Sequence, residues 1–125
     1  MLTNKEAVAT LAVKDLATAR KFYEGVLGLK AVGPENPEAV TYKSGNSNVI
    51  VYRSQFAGTN KATGANWLVG PEIEKICQGL KERGVVFEHY DLPDMTRQGD
   101  VHAMGDFKAA WFKDPDGNIL CLMNH

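Results

Sequence analysis

The stretch Phe107-Lys-Ala-Ala-Trp-Phe-Lys-Asp-Pro-Asp-Gly-Asn-Ile-Leu-Cys-Leu-Met123 reads as two strands joined by a tight turn. Asp114-Pro115-Asp116-Gly117-Asn118 carries the turn. Proline presets φ, glycine supplies a positive φ, and Asp and Asn side chains hydrogen-bond the local backbone. Aromatic and aliphatic residues fill both flanks, as a hairpin requires. The simplest reading is a core hairpin. The hairpin gains a second meaning only through Cys121 and the rest of the chain.

The chain has 125 residues, enough for one domain with a real core. Its 44% hydrophobic and 23% charged content is ordinary for a globular protein. A net charge of −1 gives no electrostatic case for nucleic acid or an anionic membrane surface. No apolar run approaches the roughly 20 residues of a membrane span. Met1-Leu-Thr-Asn-Lys-Glu6 has no apolar signal core, so a cytoplasmic location is expected. Cys77 and Cys121 lack metal-type spacing, and both are expected as free, buried small hydrophobes.

Upstream of the hairpin, Ala7–Val13 reads as a strand and Asp15 as the N-cap of a helix running to about Leu27. Leu16, Ala19, Phe22, Tyr23, Val26 and Leu27 form its apolar stripe, and Gly28 closes it. Three short strands follow: Leu29–Val32, Glu38–Lys43 and Asn48–Arg53. Ser54 to Gly64 is polar and aperiodic, a linker. The plan then repeats. Asn66–Val69 is a strand, Pro71 opens a helix that turns Ile73, Ile76, Cys77 and Leu80 inward, and Gly84 ends it. Val85–Tyr90 is a strand, and Asp91 to Gly105 reads as a long loop, a length that is often functional. Val13 and Val69 stand 56 residues apart, as do Gly28 and Gly84. The helix stripes match at an offset of 57. Such an internal repeat makes each half one structural unit.

This order, with Val13-Lys-Asp-Leu-Ala-Thr-Ala-Arg-Lys-Phe-Tyr-Glu-Gly-Val-Leu-Gly28 and Phe112-Lys-Asp-Pro-Asp-Gly-Asn118, resembles the vicinal oxygen chelate superfamily of glyoxalases, bleomycin resistance proteins and extradiol dioxygenases. The resemblance covers nearly the whole chain. It implies an α+β fold of two βαβββ modules whose curved mixed sheet encloses a cleft, usually within a homodimer. The modules would be about 5–54 and 65–125, with a linker about 55–64, all in a single domain. The family's enzymes hold a divalent metal in that cleft; its binding proteins use the cleft without one.

Fold does not settle function, so each ligand position is carried over separately. The first-strand His would stand at Val8, and its second-half equivalent near Gly64 or Ala65. The fourth-strand ligand would fall in Val51 to Arg53. The last-strand Glu, three residues after the Asn of Asp-Pro-Asp-Gly-Asn, is Cys121. No hard-donor ligand remains, and one thiol is not a site, since zinc takes at least three protein donors. No metal or other cofactor is therefore expected.

By the same analogy and strand alternation, Thr10, Ala12, Cys121 and Met123 face the cleft. Tyr52, Trp67, Trp111 and Phe112 are candidate walls, with core packing as the plainer reading of each aromatic. Which of Trp111 and Phe112 faces in is open, because a slip of one residue flips every side chain. Arg53 or Arg97 could pair with a ligand anion, and the long loop with Leu92, Pro93, Met95, Arg97 and His102 is a candidate lid or dimer contact. Glu88, His89 and Tyr90 are weak catalytic candidates: adjacent strand residues point to opposite faces, so Glu88 and His89 cannot act from one face, though Glu88 and Tyr90 could. His102 and His125 read as solvated.

The expected function is metal-independent binding of an apolar or planar small molecule in a dimer cleft, the sequestration typical of bleomycin resistance proteins. The alternative is a lyase, isomerase or dioxygenase-type enzyme with an atypical metal site or none.

Overall fold

A computed structural model describes residues 1–125. The first half holds β1 (Ala9–Val13), α1 (Leu16–Arg20), a π-helical continuation (Lys21–Val26), β2 (Lys30–Val32), β3 (Ala39–Ser44) and β4 (Ser47–Arg53). The second half holds β5 (Thr63–Leu68), a 3-10 turn (Gly70–Glu72), α2 (Ile73–Glu82), β6 (Phe87–Glu88), β7 (Thr96–Gln98), β8 (Val101–Met104), β9 (Phe107–Lys113) and β10 (Ile119–Met123). This is a mixed α+β architecture of two sheets.

The sheets follow one plan. In the first, the order is β1-β4-β3-β2, with β1 parallel to β4 and the other pairs antiparallel. In the second, β5 runs parallel to β10, which pairs antiparallel with β9. The outer edge of β9 is shared: β6 takes its Trp111–Phe112 end, and β8 takes its Phe107–Ala109 end. The hairpin of β7 and β8 is the addition that breaks the repeat. It occupies part of the segment expected as an unstructured loop, and the strand expected over Val85–Tyr90 shrinks to Phe87–Glu88. β5 begins at Thr63, so the last residues of the expected linker are already strand. Each sheet ends in a three-residue outer strand, β2 in one and β7 in the other, whose residues are all exposed.

One core serves both halves. Leu11, Val13, Val40, Tyr42, Val49 and Val51 from the first half pack with Ile73, Leu80, Phe87, Phe112, Leu120 and Leu122 from the second. These strand residues share one face, and the helices cover it. Asp15 caps α1 by accepting from the Ala17 N–H and the Thr18 hydroxyl. In the π segment, bonds such as Leu27 N–H to Phe22 C=O add a residue per turn. Adjacent Phe22 and Tyr23 then both reach the core, their rings meeting edge to face at 5.2 Å. Gly28 leaves the helix at φ +73°, a conformation that favours glycine.

The closing turn joins the halves. Asn118 Nδ2 donates to the Ala12 carbonyl at 2.7 Å, and the Lys14 N–H donates to Asp116 Oδ1 at 3.2 Å. Gly58, at φ +77°, passes so close to the Asp116 carbonyl that no side chain fits there. Asp114 is the centre of the turn. It is 5% exposed and accepts from the Tyr23 hydroxyl, the Asn118 side-chain amide and the N–H groups of Asp116 and Asn118, all at 2.7–2.9 Å.

Candidate functional site

Strand alternation sends every second residue to the face that no helix covers. On the first sheet these are Thr10 and Ala12 of β1, opposite Ile50 and Tyr52 of β4. On the second they are Cys121 and Met123 of β10, opposite Trp111 and Ala109 of β9, with His102 of β8 beyond Ala109. This open face is the candidate site.

A groove of about 370 Å³ lies on it where β1 approaches β5. Thr10, Ala12, Tyr52, Phe56, Asn60 and Asn118 line it. Three of these were expected from the sequence. Phe56, Asn60 and Asn118 were not: the first two sit in the aperiodic connection, where no pattern marks a side chain as part of a wall, and Asn118 reads as a turn residue. Tyr52 and Phe56 are exposed, Phe56 by 66%, so the groove carries two aromatic surfaces open to solvent.

The second-sheet part of the face is an aromatic cluster. The His102 and Trp111 rings meet edge to face at 4.9 Å, and Tyr90 meets Trp111 at 5.5 Å. Trp111 Nε1 donates to Thr63 Oγ1 at 3.3 Å. Cys121 is Trp111's register partner and is 2% exposed. Burial pushes its thiol up to about 11, so it stays protonated at neutral pH and is a poor nucleophile or metal ligand.

Three expected site residues lie elsewhere. Phe112 is 1% exposed on the helix-covered face, against Phe22 and Phe87. Trp67 also turns to that face, as the register partner of Leu122, and donates to Ser44 Oγ at 2.9 Å. Arg53 ends β4 in register with Val13 and forms a two-point pair with Glu38 at 3.0 Å. Strand parity accounts for all three, since each is odd or even with its core neighbours rather than with Tyr52 or Cys121.

Of the catalytic candidates, Glu88 and Tyr90 share a face beside Trp111, and His89 turns away from them. Glu88 pairs with Lys113 at 3.3 Å. His89 bonds Asp100 at 2.7 Å, and Asp100 also pairs with Lys81. Glu88 is in register with Trp111 and so shares the open face with Tyr90, and burial, with the charge of Glu88 next, raises the Tyr90 hydroxyl above its ordinary value.

His102, expected as solvated, is 1% exposed. Its Nε2 accepts from the Tyr90 N–H at 3.0 Å, which leaves the proton on Nδ1. Nδ1 has no well-formed partner. Burial holds the imidazole below its ordinary value, and the positive charge of Arg97 adds a little in the same direction. In that direction the unfolded chain binds the extra proton, so the contribution to stability is present above about pH 6.5 and is lost as pH falls toward the folded value. The expected result is a steeper fall in Tm between pH 7 and pH 5 for the native chain than for His102→Phe. Superimposable pH profiles would remove His102 from the account.

The family's metal positions can now be tested on geometry. Val8 offers hydrocarbon, Gly64 offers nothing, and Ala65 is buried with a methyl group. Val51 is buried in the core, Arg53 is held by Glu38, and Cys121 is a protonated thiol. No three His, Cys, Asp or Glu side chains come together anywhere in the chain. The residues do not fit the family's metal.

Residues 7–122 match the sequence profile of the Glyoxalase/Bleomycin resistance protein/Dioxygenase superfamily. The chain belongs to that superfamily. The structural likeness agrees and extends over the full length. An integron cassette protein from the mobile metagenome of the Halifax Harbour sewage outfall superposes with a TM-score of 0.72 at 17% identity, covering 98% of this chain and 99% of its own. The fosfomycin resistance protein FosX of Mesorhizobium loti gives 0.69 at 12% identity, covering 100% and 94%. Lactoylglutathione lyase of Agrobacterium tumefaciens gives 0.68 at 17%, covering 96% and 92%. At these identities the likeness speaks for the fold alone. No curated protein sequence matches the chain significantly. No helix of this superfamily member is long and apolar enough to cross a membrane.

Proposed function

We propose that the protein binds a planar, largely apolar small molecule on its open face, without the metal that the superfamily's enzymes use. The observation that carries this is the groove itself: Tyr52 and Phe56 present exposed aromatic surface beside the small side chains Thr10 and Ala12. Aromatic walls suit stacking on a flat ligand, and Thr10, Thr59, Asn60 and Asn118 can hydrogen-bond its polar edge. The superfamily's description includes bleomycin resistance proteins, and sequestration of a drug-like molecule is the concrete form of the proposal. A second copy of the chain would close the groove, as is usual for this fold, and would cover Phe56.

The test has two arms. Metal analysis of dialysed protein is expected to find zinc, nickel, iron and manganese far below one per chain. Acridine, as a planar probe, is expected to raise Tm, because a ligand that binds only the folded state stabilises it. Tyr52→Ala is expected to weaken that binding at least tenfold, the loss of one good aromatic contact being about 1.4 kcal/mol or more. Stoichiometric metal that survives dialysis, or acridine binding untouched by Tyr52→Ala, would sink the proposal.

A further inference from the structure

A second cavity lies on the opposite side of the sheets from the open face. It has a volume of about 160 Å³, and eight of its nine lining residues are hydrophobic. Leu27 and Leu29 come from the end of the first helix, Ile76 and Leu80 from α2, and Phe112 and Leu122 from β9 and β10. Trp67 and Val69 complete the apolar wall, and Ser44 is the single polar residue. Ser44 Oγ accepts from Trp67 Nε1 at 2.9 Å, and no protein group accepts the Ser44 hydroxyl proton.

The space opens to solvent on one side, but its lining holds water poorly. An ordered water needs two to four polar partners, and this wall offers one. Leaving the space empty forfeits the contacts that its lining would make in a packed interior. The space has the volume of a benzene-sized molecule, and its Leu27, Leu29, Trp67, Val69 and Ile76 walls are partly exposed, so such a molecule can reach it from solvent. The residues lining the space do not belong to the groove: no residue is shared with Thr10, Tyr52, Phe56 or their neighbours.

We propose that this cavity is a second ligand site, for a single-ring aromatic or similarly sized apolar molecule bearing one hydrogen-bond acceptor. The ring would fill the space between Leu27, Ile76, Leu80 and Phe112, and the acceptor would take the free Ser44 proton. Because Leu27, Leu29 and Ser44 belong to the first half and the remaining lining residues to the second, an occupant bridges the two halves. The site is independent of the open-face proposal and stands or falls separately.

The chain has two tryptophans, so in Trp111→Phe only Trp67, the cavity wall, emits. Anisole and toluene are the probes: each carries one ring, and only anisole carries an acceptor. Anisole is expected to change Trp67 emission saturably, with a midpoint below roughly 5 mM, within reach of a ligand of eight non-hydrogen atoms. Toluene is expected to bind several-fold more weakly, and Ser44→Ala to erase that difference. Ile76→Phe and Val69→Phe fill the space from two sides. Each, checked for native far-UV circular dichroism, is expected to abolish the response, while Tyr52→Ala leaves it intact. No saturable change up to about 10 mM, or a response that persists in whichever filled variants keep the native circular dichroism spectrum, overturns the proposal. If both filled variants lose that spectrum, the Ser44→Ala comparison decides: an anisole preference that survives it overturns the site as well.

Discussion

Replacing Asp114 by alanine is expected to cost the fold about 3–5 kcal/mol, measured by urea unfolding. The carboxylate is buried and its four lone-pair positions are filled by four donors, two from side chains and two from backbone. Hydrogen bonds to a charged group contribute about 1.5–3 kcal/mol each, and donors stranded without a partner add a desolvation cost. One stranded donor would be the Tyr23 hydroxyl, fully buried in the core. Burial, followed by the charge of Asp114, raises that hydroxyl far above its ordinary value, so it is held as a donor. The same turn carries Asn118 and Asp116, which bond β1. The loss would therefore be felt in both halves. Tyr23→Phe removes one donor and is expected to cost about 1–2 kcal/mol. An Asp114→Ala loss below about 1 kcal/mol would show that the turn is held by its backbone alone.

Phe112→Ala is expected to cost a similar amount, about 3–5 kcal/mol, the range for emptying a buried aromatic site. The ring touches Phe22 at 6.4 Å and Phe87 at 5.7 Å between centroids and lies within the shared core. Trp111→Ala, one residue earlier on the same strand, is expected to cost about half as much, because its ring is half-buried on the open face. The pair is a direct test of the strand's facing. Equal losses, or a larger one at Trp111, would reverse the assignment of open and covered faces that the candidate site depends on. Calorimetry on the two variants under one buffer condition is sufficient.

That facing is also where sequence reading stopped. The halves, the capping Asp15, the terminating Gly28 and the hairpin turn were legible because each rests on local chemistry: a side chain that caps, a glycine at positive φ, a proline that presets a turn. Trp111 and Phe112 are both large, both aromatic and adjacent, so alternation alone cannot choose between them. The choice comes from the register, which sets Cys121 opposite Trp111 and Leu120 opposite Phe112. Trp67 was misplaced for the same reason: its facing follows from its pairing with Leu122 across β5 and β10. His102 was misread because the hairpin of β7 and β8 has no strong period. Only pairing with β9 buries that imidazole beneath Tyr90 and Trp111. Phe56 and Asn60 enter the groove through the path of a connection, and a path is not written in periodicity. By contrast, residue type alone shows that Val8 and Gly64, where the resemblance would put ligands, carry no side-chain donor.

The outer strands carry one more consequence. An exposed strand edge is a row of unpaired N–H and C=O groups, and a long, flat, apolar one recruits further strands into aggregates. Here both sheets close on strands of only three residues, Lys30–Val32 and Thr96–Gln98. Each edge carries a cationic side chain, Lys30 on one and Arg97 on the other. Too short to template a ladder and charged against stacking, these two edges are poor seeds for fibres, and the longer edge strands of the same sheets, β1 and β5, lie against each other.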